Sequence, residues 1–251
     1  MLRNTFLHVP GVGPKTEKKL WTGGIRTWED FLSKNKKTGM TQGMAKRTEK
    51  CLKKSVNCCE KGDYQFLREM MPPGIHWRAY REFAERKRCC FLDIETTGLG
   101  SWDVITMIGL FDGKKSRTFI RGRNLKDFAS AIKDYGLMVT FNGKCFDVPF
   151  IRGELSGADM DLFHVDLRFE MRKLGYMGGL KMIEKKLGIQ RSEETQGMDG
   201  FEAVALWKRY ERGDKGALKL LMDYNREDVE NLKPLMEFAY EKLRKEVFPG
   251  F

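Results

Sequence analysis

Residues 91–99 read FLDIETTGL, and this stretch decides the fold class because it sets two acids within an apolar strand. Asp93 and Glu95 stand two positions apart, so on a strand both side chains project from one face, while Leu92 and Ile94 enter the other. Two carboxylates this close repel each other, and a bridging Mg²⁺ or Mn²⁺ stabilises them. An edge strand could instead solvate both acids, although the apolar neighbours argue against that alternative.

A second acidic segment, FNGKCFDVPFI at residues 141–151, breaks into a glycine turn and then begins a helix that bears Asp147. Asn142 and Asp147 are therefore expected near the carboxyl end of a strand, where α/β sheets usually bind ligands. Asn142 and Lys144 are candidate contacts to nucleic acid, but a lysine here would equally well face solvent. Asp147 taken alone could also be a simple helix cap.

A third segment, LLMDYNREDVENL at residues 220–232, places Tyr224 and Asp228 four positions apart. On a helix this spacing makes the two side chains neighbours on one face. The segment taken alone could also be an ordinary amphipathic helix, so its interpretation depends on the other two acidic segments.

The hydrophobic pattern after residue 88 predicts a mixed sheet flanked by helices. Asp112-Gly113 is a typical hairpin sequence and is predicted to join the second and third strands. Asn124 is the expected N-cap of a helix that ends near residue 135. Strands are predicted at 89–95, 104–111, 117–121, 137–141 and 162–166, and later helices at 180–187, 201–212 and 215–232.

The three acidic segments match, in order, the motifs of the DEDD superfamily of 3′→5′ exonucleases. These motifs are DxE at Asp93 and Glu95, N-x3-F-D from Asn142 to Asp147, and Y-x3-D at Tyr224 and Asp228. The tyrosine is typical of the DEDDy branch. The stretch GGLKMIEKKLGI, residues 178–189, resembles the YprB-like group of predicted exonucleases, and the similarity spans roughly residues 89–240.

This resemblance implies an RNase H-like α/β fold and a two-metal hydrolysis of phosphodiester bonds, with Mg²⁺ or Mn²⁺ as the cofactor. It implies that Asp93 bridges both metals, that Glu95 and Asp228 complete one site, and that Asp147 acts mainly through the other site or through its bound waters. Tyr224 would hold the attacking water in line, since a neutral phenol is a poor base. The expected substrate is a single-stranded end, with DNA favoured slightly over RNA. An RNase H-like endonuclease and a catalytically silent nucleic-acid-binding adaptor are the alternatives.

The net charge of +11 is confined to the first third of the chain. Residues 1–88 contain 20 lysines and arginines against 9 aspartates and glutamates, whereas residues 89–251 contain 26 of each. This imbalance favours a polyanionic partner, because neutralising a phosphate releases condensed counterions. A solvated surface is the alternative. We expect a small basic helical domain at 1–88, followed by the RNase H-like domain at 89–251.

The basic region opens with FLHVPGVGPKTEKKLWTGGIRTWEDFL, residues 6–32, which resembles a helix-hairpin-helix element. In that family the hairpin glycines let the backbone approach a phosphate, and amides at the next helix N-terminus point toward it. A glycine turn that only joins two helices is the alternative. The candidate nucleic-acid contacts are Gly11, Gly13, Lys15, Lys18 and Lys19.

The remaining composition narrows the class of protein. No apolar run approaches the ~18 residues that a membrane span needs, so we expect no membrane association. The six cysteines have neither disulfide-framework nor zinc-site spacing, which favours reduced thiols in a cytoplasmic protein. Scattered histidines without serine or cysteine partners give little support to a nucleophilic triad, and no small-molecule cofactor is expected.

Overall fold

The computed structural model describes residues 1–33, 38–100 and 102–248, and the chain divides into two compact units, Met1–Glu82 and Phe83–Phe251. The sequence pattern puts this division near Arg88, whereas the structure puts it between Glu82 and Phe83. Phe83 belongs to the second unit because its ring packs 5.3 Å from that of Phe163. The absence of a side chain at Gly136 makes room for the same ring, since a Cβ there would collide with it.

The first unit is helical. Thr41 caps its longest helix, and Gly62 ends that helix in the left-handed conformation (φ 70°), which glycine adopts without strain. Leu52 and Cys59 face the interior of the unit, and the exposed positions are mostly basic. The helices are α1 (Pro14–Thr22), α2 (Trp28–Leu32), α3 (Gln42–Lys61) and α4 (Gln65–Met70), with 3-10 turns at Leu2–Asn4 and Pro73–Ala79; α5 (Tyr80–Glu85) contains the division.

The second unit is built on one five-stranded sheet in the order β3-β2-β1-β4-β5. Strands β1, β2 and β3 form an antiparallel meander, while β4 and β5 run parallel to β1. The strands are β1 (Cys89–Thr96), β2 (Ile105–Phe111), β3 (Ser116–Ile120), β4 (Leu137–Thr140) and β5 (Phe163–Asp166). The predicted mixed sheet flanked by helices is confirmed, and every predicted strand is present.

Helices cover the sheet, and α11 crosses it. Glycine at position 109 of β2 lets this helix approach closely, because a Cβ there would collide with Asn225 Oδ1. Pro234 lies inside α11 without ending it. The helices are α6 (Phe128–Ala131), α7 (Asp147–Glu154), α8 (Leu167–Lys173), α9 (Leu180–Leu187), α10 (Gly200–Glu211) and α11 (Lys215–Val247).

The helix predicted from Asn124 to residue 135 is not one continuous α-helix. The segment from 124 to 135 consists of the short α6 between 3-10 turns at Leu125–Asp127 and Ile132–Asp134. Asn124 makes no cap bond to this segment; its amide instead accepts from the Ile120 N–H (2.8 Å) and donates to the Thr118 carbonyl (3.1 Å). The side chain therefore closes the turn after β3, a local alternative that short polar side chains offer the backbone.

Two structural observations concern the cysteines and the apolar length of the helices. Among the described residues, which include all six cysteines, there is no disulfide. No described helix is both long and apolar enough to cross a membrane.

Candidate active site

The site begins on β1, where the pleat sends alternate side chains to opposite faces of the sheet. Leu92 and Ile94 enter a buried apolar cluster on one face. Asp93 and Glu95 leave from the other face, where they meet Asp228 of α11. One oxygen from each of these three carboxylates lies within 4.8 Å of the others, which is close enough for a shared cation.

Asp147 joins this group from the first turn of α7. Its Oδ1 accepts a hydrogen bond from the Ile94 N–H, 3.2 Å away, so the carboxylate is tied to the strand between the two acids of β1. The side chain is buried, and Phe146, not Asp147, stands at the N-cap of α7. The alternative in which Asp147 only caps a helix therefore does not describe its contacts.

Helix α11 supplies Tyr224, Asn225 and Asp228, all of them buried. The side-chain amide of Asn225 donates to Asp93 Oδ2 over 3.0 Å, which fixes that carboxylate relative to the helix. This hydrogen bond requires α11 to lie close to β2, and Gly109 provides the space. The one-turn spacing of Tyr224 and Asp228 directs both side chains toward β1.

Two cations outside the three motifs lie next to the site, one in contact with Asp228 and the other with Tyr224. Arg191 donates to Glu184 from Nε (2.7 Å) and Nη2 (2.8 Å), and Nη2 also contacts Asp228 Oδ1. Lys181 donates to the hydroxyl of Tyr224 over 2.6 Å. The arginine and both of its carboxylate partners are buried, so this network offsets part of the negative charge of the cluster.

The carboxylates are held in a state that favours protonation. Burial, followed by repulsion from Asp228, raises the pKa of Glu95 well above its ordinary value. Burial and the neighbouring carboxylates do the same to the pKa of Asp93. Burial raises the pKa of Asp147 to about 7, even though two backbone N–H groups oppose the shift. The pKa of Asp228 is raised by burial, and Arg191 opposes this shift most strongly.

These groups fit a divalent cation. Glu95 Oε1 is buried, and no described residue donates a hydrogen bond to it, which leaves an oxygen that a cation would satisfy. The donor set consists of hard carboxylate oxygens, the ligands that Mg²⁺ and Mn²⁺ prefer. Three acids converge in one cluster, and Asp147 lies beside them.

A buried carboxylate positions the second motif. Asp166, at the end of β5, accepts hydrogen bonds from the backbone N–H groups of Asn142 (2.8 Å) and Lys144 (3.0 Å). Asn142 adopts a left-handed conformation (φ 68°), which asparagine tolerates better than most residues. Its side-chain oxygen accepts from Arg168 (2.6 Å), whereas the ammonium of Lys144 lies 5.8 Å from the ring centroid of Phe169.

Two cavities adjoin the acid cluster, and both are lined by Asp93, Asp199, Gly200, Tyr224 and Asp228. The first, of about 720 Å³, is hereafter the cationic cavity; its lining includes Arg168, Arg172, Lys181, Met177 and Met182. The second, of about 630 Å³, is hereafter the apolar cavity; its lining includes Leu99, Phe146, Phe201 and Val204. None of the described residues that line the apolar cavity is a lysine or an arginine.

The hairpin residues proposed to bind nucleic acid lie in the first unit. Gly11 has a positive φ of 86°, and Gly13 precedes Pro14 at the start of α1. In place of a helix before this turn, the described residues form a 3-10 turn at Leu2–Asn4 and further turns. The candidate contacts that are exposed are Gly11, Lys15, Lys18 and Lys19.

The residues that sequence reasoning missed are Lys181, Glu184, Arg191 and Asn225. The sequence contains a weak signal for Glu184. Leu180, Ile183 and Leu187 recur with helical spacing and define the buried face of α9, and Glu184 lies on that face. A glutamate on that face predicts a buried partner charge. Nothing in the sequence identifies Arg191 as that partner, because the loop after α9 determines where its side chain lies.

Comparison with known proteins supports this architecture. A family model described as the RNase H superfamily matches residues 90–240, and the chain therefore belongs to that superfamily. Membership supports a nuclease that acts on nucleic acid with divalent metal ions. No curated protein matches the chain significantly.

Among solved structures, the chain is similar to the family B DNA polymerase from the hyperthermophilic archaeon Pyrobaculum calidifontis. The TM-score is 0.50 at 18% sequence identity, and the match covers 63% of this chain and 25% of the polymerase chain. At this identity the similarity concerns the fold alone, and the matched region is about a quarter of the length of the polymerase.

Proposed function

We propose that this protein is a metal-dependent exonuclease of the DEDDy type that removes nucleotides from the 3′ ends of single-stranded nucleic acid, with DNA slightly favoured over RNA. The observation that carries the proposal is the convergence of Asp93, Glu95 and Asp228, with Asp147 beside them. Such a cluster is costly in a folded protein unless cations offset its charge. The three sequence motifs that contain these acids occur along the chain in the order of the DEDD superfamily.

We assign the four acids as the ligands of two Mg²⁺ or Mn²⁺ ions. Bound at this place, such ions neutralise negative charge that develops on the phosphate and lower the pKa of a water molecule. Asn225 holds the Asp93 carboxylate ready through its 3.0 Å hydrogen bond, and Ile94 does the same for Asp147 through its N–H. These contacts fix the ligands before substrate arrives, which lowers the cost of reorganisation.

Tyr224 is assigned to orient the attacking water. Burial and the nearby carboxylates raise the pKa of its phenol, so the group keeps its proton. The Lys181 ammonium has only donors, so the tyrosine oxygen accepts from it. The O–H of Tyr224 is then available to donate to a water or phosphate oxygen in the adjoining cavities.

The apolar cavity supports cleavage at an end. A nucleotide at the end of a strand has one phosphate at the acid cluster and can place its base against Leu99 and Phe201, which are 76% and 80% exposed. A strand that continued through this cavity would place further phosphates where no described lining residue is cationic. That arrangement is less favourable for an endonuclease.

The test uses three substrates of one sequence: a linear single strand with an open 3′ end, the same strand with a blocked 3′ end, and a circular strand. With Mn²⁺ we expect mononucleotide release from the open strand alone, and with EDTA none. Matched RNA strands measure the DNA preference. Cleavage of the circle would identify an endonuclease, and no cleavage of any substrate would favour a silent binding protein.

Replacing Tyr224 with phenylalanine is expected to slow hydrolysis on the order of 10-fold to 10³-fold, since only a hydroxyl that positions the water is lost. Affinity for Mn²⁺ should remain near that of the wild type, because the carboxylates are unchanged. Single-turnover kinetics and calorimetric Mn²⁺ titration measure the two quantities. An unchanged single-turnover rate would contradict the assigned role. Tyr210→Phe, a change on α10, is the matched control.

We further propose that the basic first unit binds nucleic acid through Gly11, Gly13, Lys15, Lys18 and Lys19. A fragment starting at Phe83 should hydrolyse short oligonucleotides but bind long ones more weakly, and its log affinity should depend less steeply on log salt. A fragment starting at Cys89 is expected to be less stable, because it lacks the Phe83 ring that packs on Phe163. Electrophoretic mobility shifts and thermal unfolding measure these effects. Equal affinity and salt dependence in full-length protein and a folded fragment would refute the assignment.

A further inference from the structure

The cationic cavity has a chemistry that hydrolysis itself does not require. Its wall beyond the shared acids includes Arg168 and Arg172 of α8, both of them exposed. Arg168 donates to the neutral amide oxygen of Asn142 over 2.6 Å, and this contact leaves its positive charge uncompensated. Cations placed this way beside an acid cluster favour a ligand with several negative charges.

The same cavity presents apolar side chains to solvent. Met177 is 64% exposed and Met182 is 56% exposed. Gly178, with φ 116°, lies between them in sequence, and a Cβ there would stand 2.6 Å from Met182 Sδ, so the glycine allows this methionine to lie against the loop. Long thioether side chains adapt their shape to varied apolar ligands.

Exposure of large hydrophobic side chains is concentrated around the acid cluster. Of six such side chains in the described part of the chain, five line the cationic cavity, the apolar cavity or a third cavity that shares Leu99. Clusters of exposed apolar groups usually mark binding surfaces. The six are Leu99, Trp102, Phe169, Met177, Met182 and Phe201.

Building on the proposed exonuclease function, we propose that the cationic cavity binds the unpaired strand that remains attached upstream of the cleaved bond. Arg168 and Arg172 bind its phosphates, and Met177 and Met182 contact the faces of its bases. The combination selects single strands, because a duplex stacks its base faces and offers these methionines no apolar surface. Thioethers have no hydrogen-bond donor with which to read base edges, so the contact accepts any base sequence.

The test measures binding to the full-length protein in EDTA, which prevents hydrolysis. The probes are a twelve-nucleotide oligothymidylate, a backbone of the same length without bases, and a blunt duplex of the same length. Variants are Arg168→Gln with Arg172→Gln, and Met177→Ser with Met182→Ser. The matched control is Lys185→Gln with Lys186→Gln, two exposed lysines of α9 that do not line the cavity.

The arginine pair is expected to weaken binding of both the oligothymidylate and the baseless backbone, and to flatten the slope of log affinity against log salt by about 1.4, or ~0.7 for each lost phosphate contact. The methionine pair should weaken oligothymidylate binding about tenfold and leave the baseless backbone unaffected. The lysine control should show neither the flatter salt slope nor the weaker oligothymidylate binding. A 4-thiothymidine second from the 3′ end should crosslink to the peptide that contains Met177 and Met182.

Failure of this inference is separable from failure of the proposed function. If the wild type releases mononucleotides while both double variants bind and crosslink as the wild type does, the upstream subsite is refuted and the exonuclease stands. If binding and crosslinking change as expected but no hydrolysis occurs with Mn²⁺, the subsite stands and the exonuclease assignment fails. A methionine pair that weakens the duplex as much as the single strand also refutes the subsite.

Discussion

Changing Asp93 to asparagine is expected to reduce hydrolysis by on the order of 10³-fold or more, while the metal-free protein becomes more stable. Loss of a shared metal ligand removes several kcal/mol of transition-state stabilisation, and ~1.4 kcal/mol corresponds to a factor of ten. The same change removes a partly buried carboxylate that Asp228, Asp147 and Glu95 repel. We expect unfolding in EDTA to require about 1 kcal/mol more, or a Tm ~2–4 °C higher.

The measurements are hydrolysis rates in Mn²⁺ and thermal unfolding in EDTA. Asp223→Asn is the matched control, because it removes a carboxylate of α11 that pairs with Arg226 (3.0 Å) outside the cluster. That variant should keep its activity and gain no stability. A folded Asp93→Asn protein with near-normal hydrolysis would remove the carboxylate from the proposed metal site.

Burial of the acids also gives the stability of the metal-free protein a dependence on pH. The pKa of Asp147 is about 7 in the folded state, against ~4 for an ordinary aspartate. The folded state therefore holds more protons than the unfolded state between these values, so stability falls as the pH rises through this window. Asp147→Asn should remove this contribution.

His8 in the first unit gives the opposite dependence of stability on pH. Burial lowers its pKa to about 4, so its contribution to stability is lost as the pH falls through this range from the ordinary value of ~6.5. The difference in Tm between wild type and Asp147→Asn cancels this term. That difference, measured in EDTA from pH 4 to 8, is therefore the diagnostic quantity, and a difference independent of pH would contradict the assigned shift.

Replacing Arg191 with alanine is expected to make the fold depend on divalent cations. The change leaves Glu184 and Asp228 buried without their shared positive partner, and breaking a buried pair in this way costs about 3–5 kcal/mol. Mn²⁺ should restore part of this loss, because it binds the folded state through Asp228 and its neighbours. The wild type should gain less stability from the same Mn²⁺ concentration.

Thermal unfolding with EDTA and with Mn²⁺ measures this effect. Arg209→Ala is the matched control, because Arg209 forms a 2.6 Å pair with Asp214 at the protein surface, where water screens the attraction and the pair contributes little to stability. Arg191→Lys keeps the charge and should lie between the wild type and the alanine variant. If Arg191→Ala is as stable in EDTA as the control, then Arg191 is not the counter-ion of the acid cluster.

Several features could be predicted from the sequence because their signals are local. Alternation of apolar and acidic residues from 92 to 95 predicts a strand and directs Asp93 and Glu95 to one face, and the structure agrees. The helix at 180–187 has the predicted bounds, because its apolar period is regular and Gly188 ends it in the left-handed conformation. The sequence predicts Asn124 as a helix cap, but its amide closes a turn instead. Both arrangements use the same side chain, and the sequence does not distinguish them.

Other features depend on contacts between distant segments. The cation that lies against Asp228 is Arg191, thirty-seven positions before it, and the hydrogen bond that fixes Asp93 comes from Asn225, one hundred and thirty-two positions away. Arg191 lies outside the three motifs, and Asn225 occupies one of the unspecified positions of Y-x3-D, so the motifs predict no role for either residue. In the sequence, the exposed methionines beside the acids look the same as core methionines, so only their exposure in the folded structure distinguishes a binding surface from core packing.

The sequence by itself determined the mixed sheet, the order of the acidic segments and the concentration of positive charge in the first third of the chain, because periodicity, motif spacing and charge are properties of neighbouring residues. The tertiary structure decided which carboxylates converge, which cations offset them and where cavities open beside them. These properties depend on how α11 packs on β1 and β2. That packing is possible because Gly109 has no side chain between β2 and the helix. Burial and distance between remote groups set the charge balance of the site, and neither quantity exists until the chain has folded.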